Sequence, residues 1–231
     1  MSAGLLSILA GLATWAGGAL VAGLGRPNRW FLGWLLGVAA GVMLGVSAVD
    51  LLPAALRLGG VRALGWGAGL VLVFLALVCR WLVPAYGREF DYRRLGYFVG
   101  TAVALHDLPE GMAIAVGYAA GPALGLGLAV AIALHNLPEG MVMAGPLLAG
   151  GLSRRRVLGL IALVAAVTPL GTGVGELVLM VVPGALAPLL AAAAAVMLFV
   201  VLKELLPAAR HHPLWAGSTG LVLGLALSLV V

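Results

Sequence analysis

The sequence predicts an all-α membrane protein: eight transmembrane helices in a 3+2+3 inverted-repeat arrangement. Three observations predict it: the composition, a succession of apolar runs of spanning length, and paired motifs that recur in helices of opposite direction. Of 231 residues, 63% are hydrophobic and 9% are charged, against roughly 25% charged in a soluble domain. A soluble fold would lack the charged surface that keeps it dispersed. Disorder requires low hydrophobicity and high charge, the reverse of this chain. The solvent that suits such a composition is itself apolar.

A helix crosses the hydrocarbon in about 20 apolar residues. The first run, Leu5–Leu24, follows Met1 almost directly and lacks the basic flank of a cleaved signal peptide, so it reads as a span. Trp30–Leu52, Ala63–Val83 and Leu95–Tyr118 follow. Pro122–Leu148 is divided from the fourth span only by a Gly-Pro turn signal at Gly121-Pro122. Val157–Val181, Gly184–Leu206 and Pro213–Val230 complete the set, with Pro183-Gly184 marking the sixth turn. The 35 glycines fit close helix–helix approach in a bilayer. The longest polar stretch, Tyr86 to Arg94, is a short loop, so residues 1–231 form a single transmembrane domain. The lone Cys79 has no partner for a disulfide and reads as a small apolar residue in its span.

With eight spans, Arg26, Arg29, Arg80, Arg88, Arg93, Arg94, Arg154, Arg155, Arg156 and Arg210 fall on one side. Only Arg57 and Arg62 fall on the other. The arginine-rich side is therefore cytoplasmic, and both termini face outward from a plasma (inner) membrane. The same scatter of basic residues over short loops leaves no stripe for a nucleic acid, despite a pI near 10.1. The partners expected are the lipid bilayer and metal ions, with a second copy of the chain left open.

Ala-Leu-His106-Asp107-Leu-Pro109-Glu110-Gly111-Met recurs as Ala-Leu-His135-Asn136-Leu-Pro138-Glu139-Gly140-Met in the next span, which runs the opposite way. Asp50-Leu-Leu-Pro53-Ala-Ala in span two has a counterpart in Glu204-Leu-Leu-Pro207-Ala-Ala in span seven, again antiparallel. Antiparallel motif pairs are the trace of an inverted repeat, with spans one to three related to six to eight and span four to five.

His106 and Glu110 are four residues apart and share a helix face, as do His135 and Glu139. Each pair is half of a divalent-metal site. Two facing helices supply two imidazoles, three carboxylates and the Asn136 amide, a set suited to Zn²⁺, with Fe²⁺, Mn²⁺, Co²⁺ and Cd²⁺ also compatible. Pro109 and Pro138 free the carbonyls of Leu105 and Leu134 at mid-membrane depth. An inert hydrogen-bonded cluster is the plainer alternative. Each ionisable group at the bilayer centre costs on the order of 3 kcal/mol, and no Lys or Arg lies beside these five in the sequence, so a cation is the natural compensation.

Other polar residues mark a candidate pathway. Asp50 and Glu204 close their apolar runs and are either entrance and exit carboxylates or interfacial charges. Thr168 and Glu176 lie in span six, Glu176 either on the path or near the outer interface. His211 and His212 follow span seven on the cytoplasmic side, as metal acceptors or as a solvated pair. Met43, Met112, Met141 and Met143 read as packing residues.

At these residues the chain resembles the ZIP (Zrt/Irt-like protein) family of divalent-metal transporters, in its bacterial type. The doubled His-x-x-Pro-Glu-Gly motif carries the resemblance, with Gly41 to Pro53 similar to the family's second helix and Val201 to Pro207 to its seventh. The resemblance covers essentially the whole chain. It implies eight spans, outward termini, a metal site between spans four and five that is often binuclear, and transport toward the cytoplasm. Its ligands would be His106, Asp107, Glu110, His135, Asn136 and Glu139, with the two glutamates bridging. The chain departs from the family pattern at Thr168-Pro169-Leu170-Gly171, where a Glu commonly precedes Pro-Leu-Gly. It also departs in the placement of Asp and Asn in the two motifs, and in lacking a His-rich loop before span four. The function expected is a divalent-cation importer, zinc foremost, and not an enzyme. An intramembrane metalloenzyme and a static metal-binding membrane protein are the alternatives; the chain lacks the His-Glu-x-x-His of a helical zinc protease.

Overall fold

The computed structural model describes residues 2–25, 27–82 and 91–229, with backbone alone for 77–82, 120, 179 and 183. Arg26, Arg88, Glu89 and the side chains of Cys79 and Arg80 lie outside the described residues. Within them every regular element is helical: α1 (Ala3–Leu24), α2 (Arg29–Val46), α3 (Leu52–Leu82), α4 (Tyr92–Ala120), α5 (Pro122–Ala149), α6 (Arg154–Ala165), α7 (Val167–Val181), α8 (Leu186–Val200), α9 (Leu206–Ala209) and α10 (Leu214–Ser228).

Helix starts follow the polar residues that precede each apolar run. Ser2 Oγ accepts from the Leu5 N–H and Asn28 Oδ1 from the Phe31 N–H, at 3.3 and 2.9 Å. Asp91 accepts from the N–H groups of Arg93 and Arg94 and opens α4. Gly121 alone joins α4 to α5, and Pro122 takes the first position of α5, where its missing N–H costs nothing.

Five helical runs are long and apolar enough to cross a bilayer. One of them, Arg29–Ala76, is 48 residues long, far more than the roughly 20 a span needs. It is broken at Gly60 (φ 63°, ψ −167°), a left-handed conformation that favours glycine. The break falls where the sequence separates spans two and three. The sixth apolar stretch is likewise two helices, parted at Ala166, because Pro169 has no N–H to give the Ala165 carbonyl. Outside the set of five are α4, which carries Asp107 and Glu110, and α10, with 15 residues.

Two π-turns, Ser47–Leu51 and Val201–Leu205, link α2 to α3 and α8 to α9. Each holds the carboxylate of a repeated motif, Asp50 or Glu204, just ahead of a proline. The N–H of Leu52 reaches back to Ser47 and that of Leu206 to Val201, so each helix widens by one residue before Pro53 and Pro207.

Packing partners fall into matched pairs. α1 packs on α5 as α7 packs on α4, and α2 packs on α10 as α8 packs on α3. Small residues permit the closest of these approaches. A Cβ on Gly41 would meet the Leu225 nitrogen at 2.7 Å, and one on Gly220 the Val38 nitrogen at 3.0 Å. The main core runs through α2, α8, the N-terminal half of α4 and the C-terminal half of α5, and a smaller cluster of Leu6, Ala10, Ile114, Ala129 and Ile132 joins α1 to the other ends of α4 and α5.

Gly41→Val should therefore lower stability by about 1–3 kcal/mol through overpacking. Gly127→Val, with nothing within 4 Å of its added Cβ, should leave it unchanged. Thermal unfolding in detergent distinguishes the two variants.

Candidate metal centre

The two motifs meet at the middle of α4 and α5. His106 and Asp107 are fully buried, Glu110 and Glu139 are 1% exposed and His135 is 4% exposed. The pairing is crossed. His106 Nε2 lies 2.9 Å from Glu139 Oε1, and His135 Nε2 lies 2.9 Å from Glu110 Oε2. Each histidine thus pairs with the glutamate of the other motif, although its own glutamate stands four residues away on the same face. Asp107 Oδ1 is 3.7 Å from His106 Nε2. His106, Asp107 and Glu139 each offer one ligand atom, and these atoms lie within 4.8 Å of one another.

The flanking helices complete the site. Thr168 of α7 donates from Oγ1 to Asp107 Oδ2 at 3.4 Å, and Thr172 donates to the Gly111 carbonyl at 2.8 Å. Asn136 donates from Nδ2 to the Ala10 carbonyl of α1 at 3.2 Å. Gly111 and Gly140 bring backbones close, and the helices they admit are α7 and α1. A Cβ on Gly111 would meet the Thr172 nitrogen at 2.9 Å, and one on Gly140 the Gly18 nitrogen at 2.9 Å.

Six buried polar atoms of this cluster have no hydrogen-bond partner: Nδ1 of His106 and of His135, Asp107 Oδ1, Asn136 Oδ1, Glu110 Oε1 and Glu139 Oε2. Unpartnered polar atoms at such a density are costly in an apolar interior. No Lys or Arg is buried among the described residues. The donor set is imidazole nitrogen with carboxylate and amide oxygen, which fits Zn²⁺ and neighbouring divalent ions.

Of the pathway candidates, the structure brings Thr168 into the cluster. Asp50 is exposed and Glu204 half-buried, each on its π-turn, and Glu176 is exposed on α7. His211 and His212 occupy the turn between α9 and α10, His211 exposed and His212 buried against the Tyr92 ring. Burial holds the His212 imidazole below its ordinary pKa, and the Arg29 and His211 charges act in the same direction. Sequence reasoning missed Thr172 and the Ala10 carbonyl. The signal for the α1 contact was present: Thr14-x-x-Gly17-Gly18 and Thr168-x-x-Gly171-Thr172 have the same separation in the chain as Asp50 and Glu204.

Histidines and carboxylates that face one another inside a bundle of apolar helices are the donor chemistry of a membrane protein that handles divalent cations. Residues 88–231 match the ZIP zinc transporter family. The zinc transporter ZupT of Chlorobium luteolum is 34% identical, covering 96% of this chain and 94% of its own length. The ZupT proteins of Corynebacterium efficiens and Escherichia fergusonii are each 35% identical, covering 98% of this chain and 95% of their own. The chain belongs to the ZIP family.

Thr168→Val removes the outer partner of Asp107 while keeping its shape. Calorimetric titration of the purified protein should show zinc affinity lowered roughly 10–100-fold, the usual cost of losing a group that orients a ligand.

Proposed function

We propose that this chain carries divalent metal cations, zinc foremost, across the plasma (inner) membrane into the cytoplasm. The crossed His106–Glu139 and His135–Glu110 pairs carry this reading. Each carboxylate and imidazole bonded to the other is also a metal ligand, so an arriving cation replaces one set of partners with itself. His106, Asp107, Glu110, His135, Asn136 and Glu139 are its ligands, with the two glutamates placed to bridge between motifs. Zn²⁺ is favoured by the names of the relatives; Fe²⁺, Mn²⁺, Co²⁺ and Cd²⁺ suit the same donors.

Eight spans in a 3+2+3 inverted repeat are the arrangement that accounts for the packing. The break at Gly60 divides spans two and three, and the matched helix pairs and twin π-turns support a relation of spans one to three with six to eight. The arginine asymmetry then sets both termini outside. On this topology Asp50 stands near the outer mouth and Glu204 near the inner one. Alternating exposure arises as α1, α4, α5, α6 and α7 shift against α2, α3, α8 and α10. A homodimer is compatible with the exposed apolar faces.

Zinc flux into vesicles holding the purified chain should be abolished in the Glu110→Ala/Glu139→Ala double variant; wild-type flux from that variant would refute the assignment. Flux should also fall as the outside medium is acidified, because carboxylate and imidazole must lose their protons to bind.

A further inference from the structure

The chain has five threonines, all in helices. Thr101 and Thr219 each donate to the carbonyl four residues earlier, the usual refuge of a helical hydroxyl, and Thr172 divides its donation between the Gly111 carbonyl and that of Thr168. Thr168 donates to Asp107. Thr14 differs from all four: it is fully buried and its Oγ1 has no hydrogen-bond partner.

Its surroundings explain the difference. The carbonyl four residues before Thr14 belongs to Ala10, which accepts the helical N–H of Thr14 and is also bonded by Asn136 Nδ2 at 3.2 Å. The Asn136 amide therefore lies beside Thr14, with its nitrogen committed to α1 and its Oδ1 unpartnered. The backbone geometry repeats that of Thr168. Gly140 of α5 lies against the Thr14 carbonyl as Gly111 of α4 lies against the Thr168 carbonyl. Gly17 lies against the Leu137 carbonyl as Gly171 lies against that of Leu108. In backbone placement Thr14 is thus to Asn136 what Thr168 is to Asp107, without the hydrogen bond that joins the second pair.

We propose that Thr14 is a further residue of the cation site, its hydroxyl and the Asn136 amide oxygen offering two neutral oxygens opposite the Asp107 carboxylate. The α7 side is anionic, with Thr168 steadying a carboxylate. The α1 side is uncharged, with a hydroxyl free to turn its oxygen to the ion. One charged and one neutral side hold a divalent cation without the full negative charge that two carboxylate sides would bring, which favours release as well as capture.

The proposal rests on the transporter reading, and its test keeps the two apart, because wild-type zinc flux into vesicles is measured first and its absence counts against the transporter reading alone. Thr14→Val, which keeps the shape and removes the hydroxyl, should raise KM for zinc several-fold with kcat little changed, and Thr14→Ser should restore it. Thr14→Cys places sulfur where the hydroxyl stands. Loaded with Cd²⁺, it should show a thiolate-to-metal charge-transfer band in the ultraviolet that the wild type, with Cys79 alone, lacks. A Thr14→Cys spectrum without that band, or a Thr14→Val KM equal to wild type, would overturn the proposal.

Discussion

Five ionisable groups buried between two apolar helices, with no Lys or Arg buried among the described residues to neutralise them, are the constraint on which the structure depends. Each costs on the order of 3 kcal/mol to bring to the centre of a bilayer. Exchange of partners between motifs meets part of that cost. His106 turns to Glu139 and His135 to Glu110, so α4 and α5 must be held at a register in which each histidine faces the opposite glutamate. The polar atoms left over on both motifs have no hydrogen-bond partner, and nitrogen and oxygen donors of that kind suit a divalent cation.

Holding that register is the task of α1 and α7. Both approach through glycine, Gly17 and Gly18 on one side and Gly171 on the other, and both set a threonine beside the residue that follows a histidine. The prolines contribute at the same level. Pro109, Pro138 and Pro169 each leave one carbonyl unbonded within its helix, and helix irregularity of this kind is tolerated at membrane depth only where protein surrounds it. Irregular backbone, small residues and buried charge thus occur together because each makes the others tolerable.

Much of this was legible in the sequence. The apolar runs, the turn at Gly121-Pro122 and the doubled motif followed from composition and spacing, and so did the grouping of His106, Asp107, Glu110, His135 and Glu139. Two features were not legible. The crossed pairing depends on the register between α4 and α5, and periodicity within one helix says nothing about its neighbour. The role of α1 rests on Thr14, Gly17 and Gly18; their spacing repeats that of Thr168, Gly171 and Thr172, but among 35 glycines that repeat acquires meaning only when seen against α5. The π-turns at Asp50 and Glu204 were foreshadowed by the prolines after them, although a proline alone does not choose between a kink, a break and a widened turn.

The central claim is that the crossed imidazole–carboxylate cluster itself holds the cation. X-ray absorption at the zinc edge of the purified, zinc-loaded protein tests it most directly. The account predicts a shell of nitrogen and oxygen at about 2.0–2.2 Å with the outer scattering of imidazole rings, lost when His106 and His135 are both replaced by alanine. A shell of water oxygens alone, or one unchanged in the double-alanine variant, would contradict it.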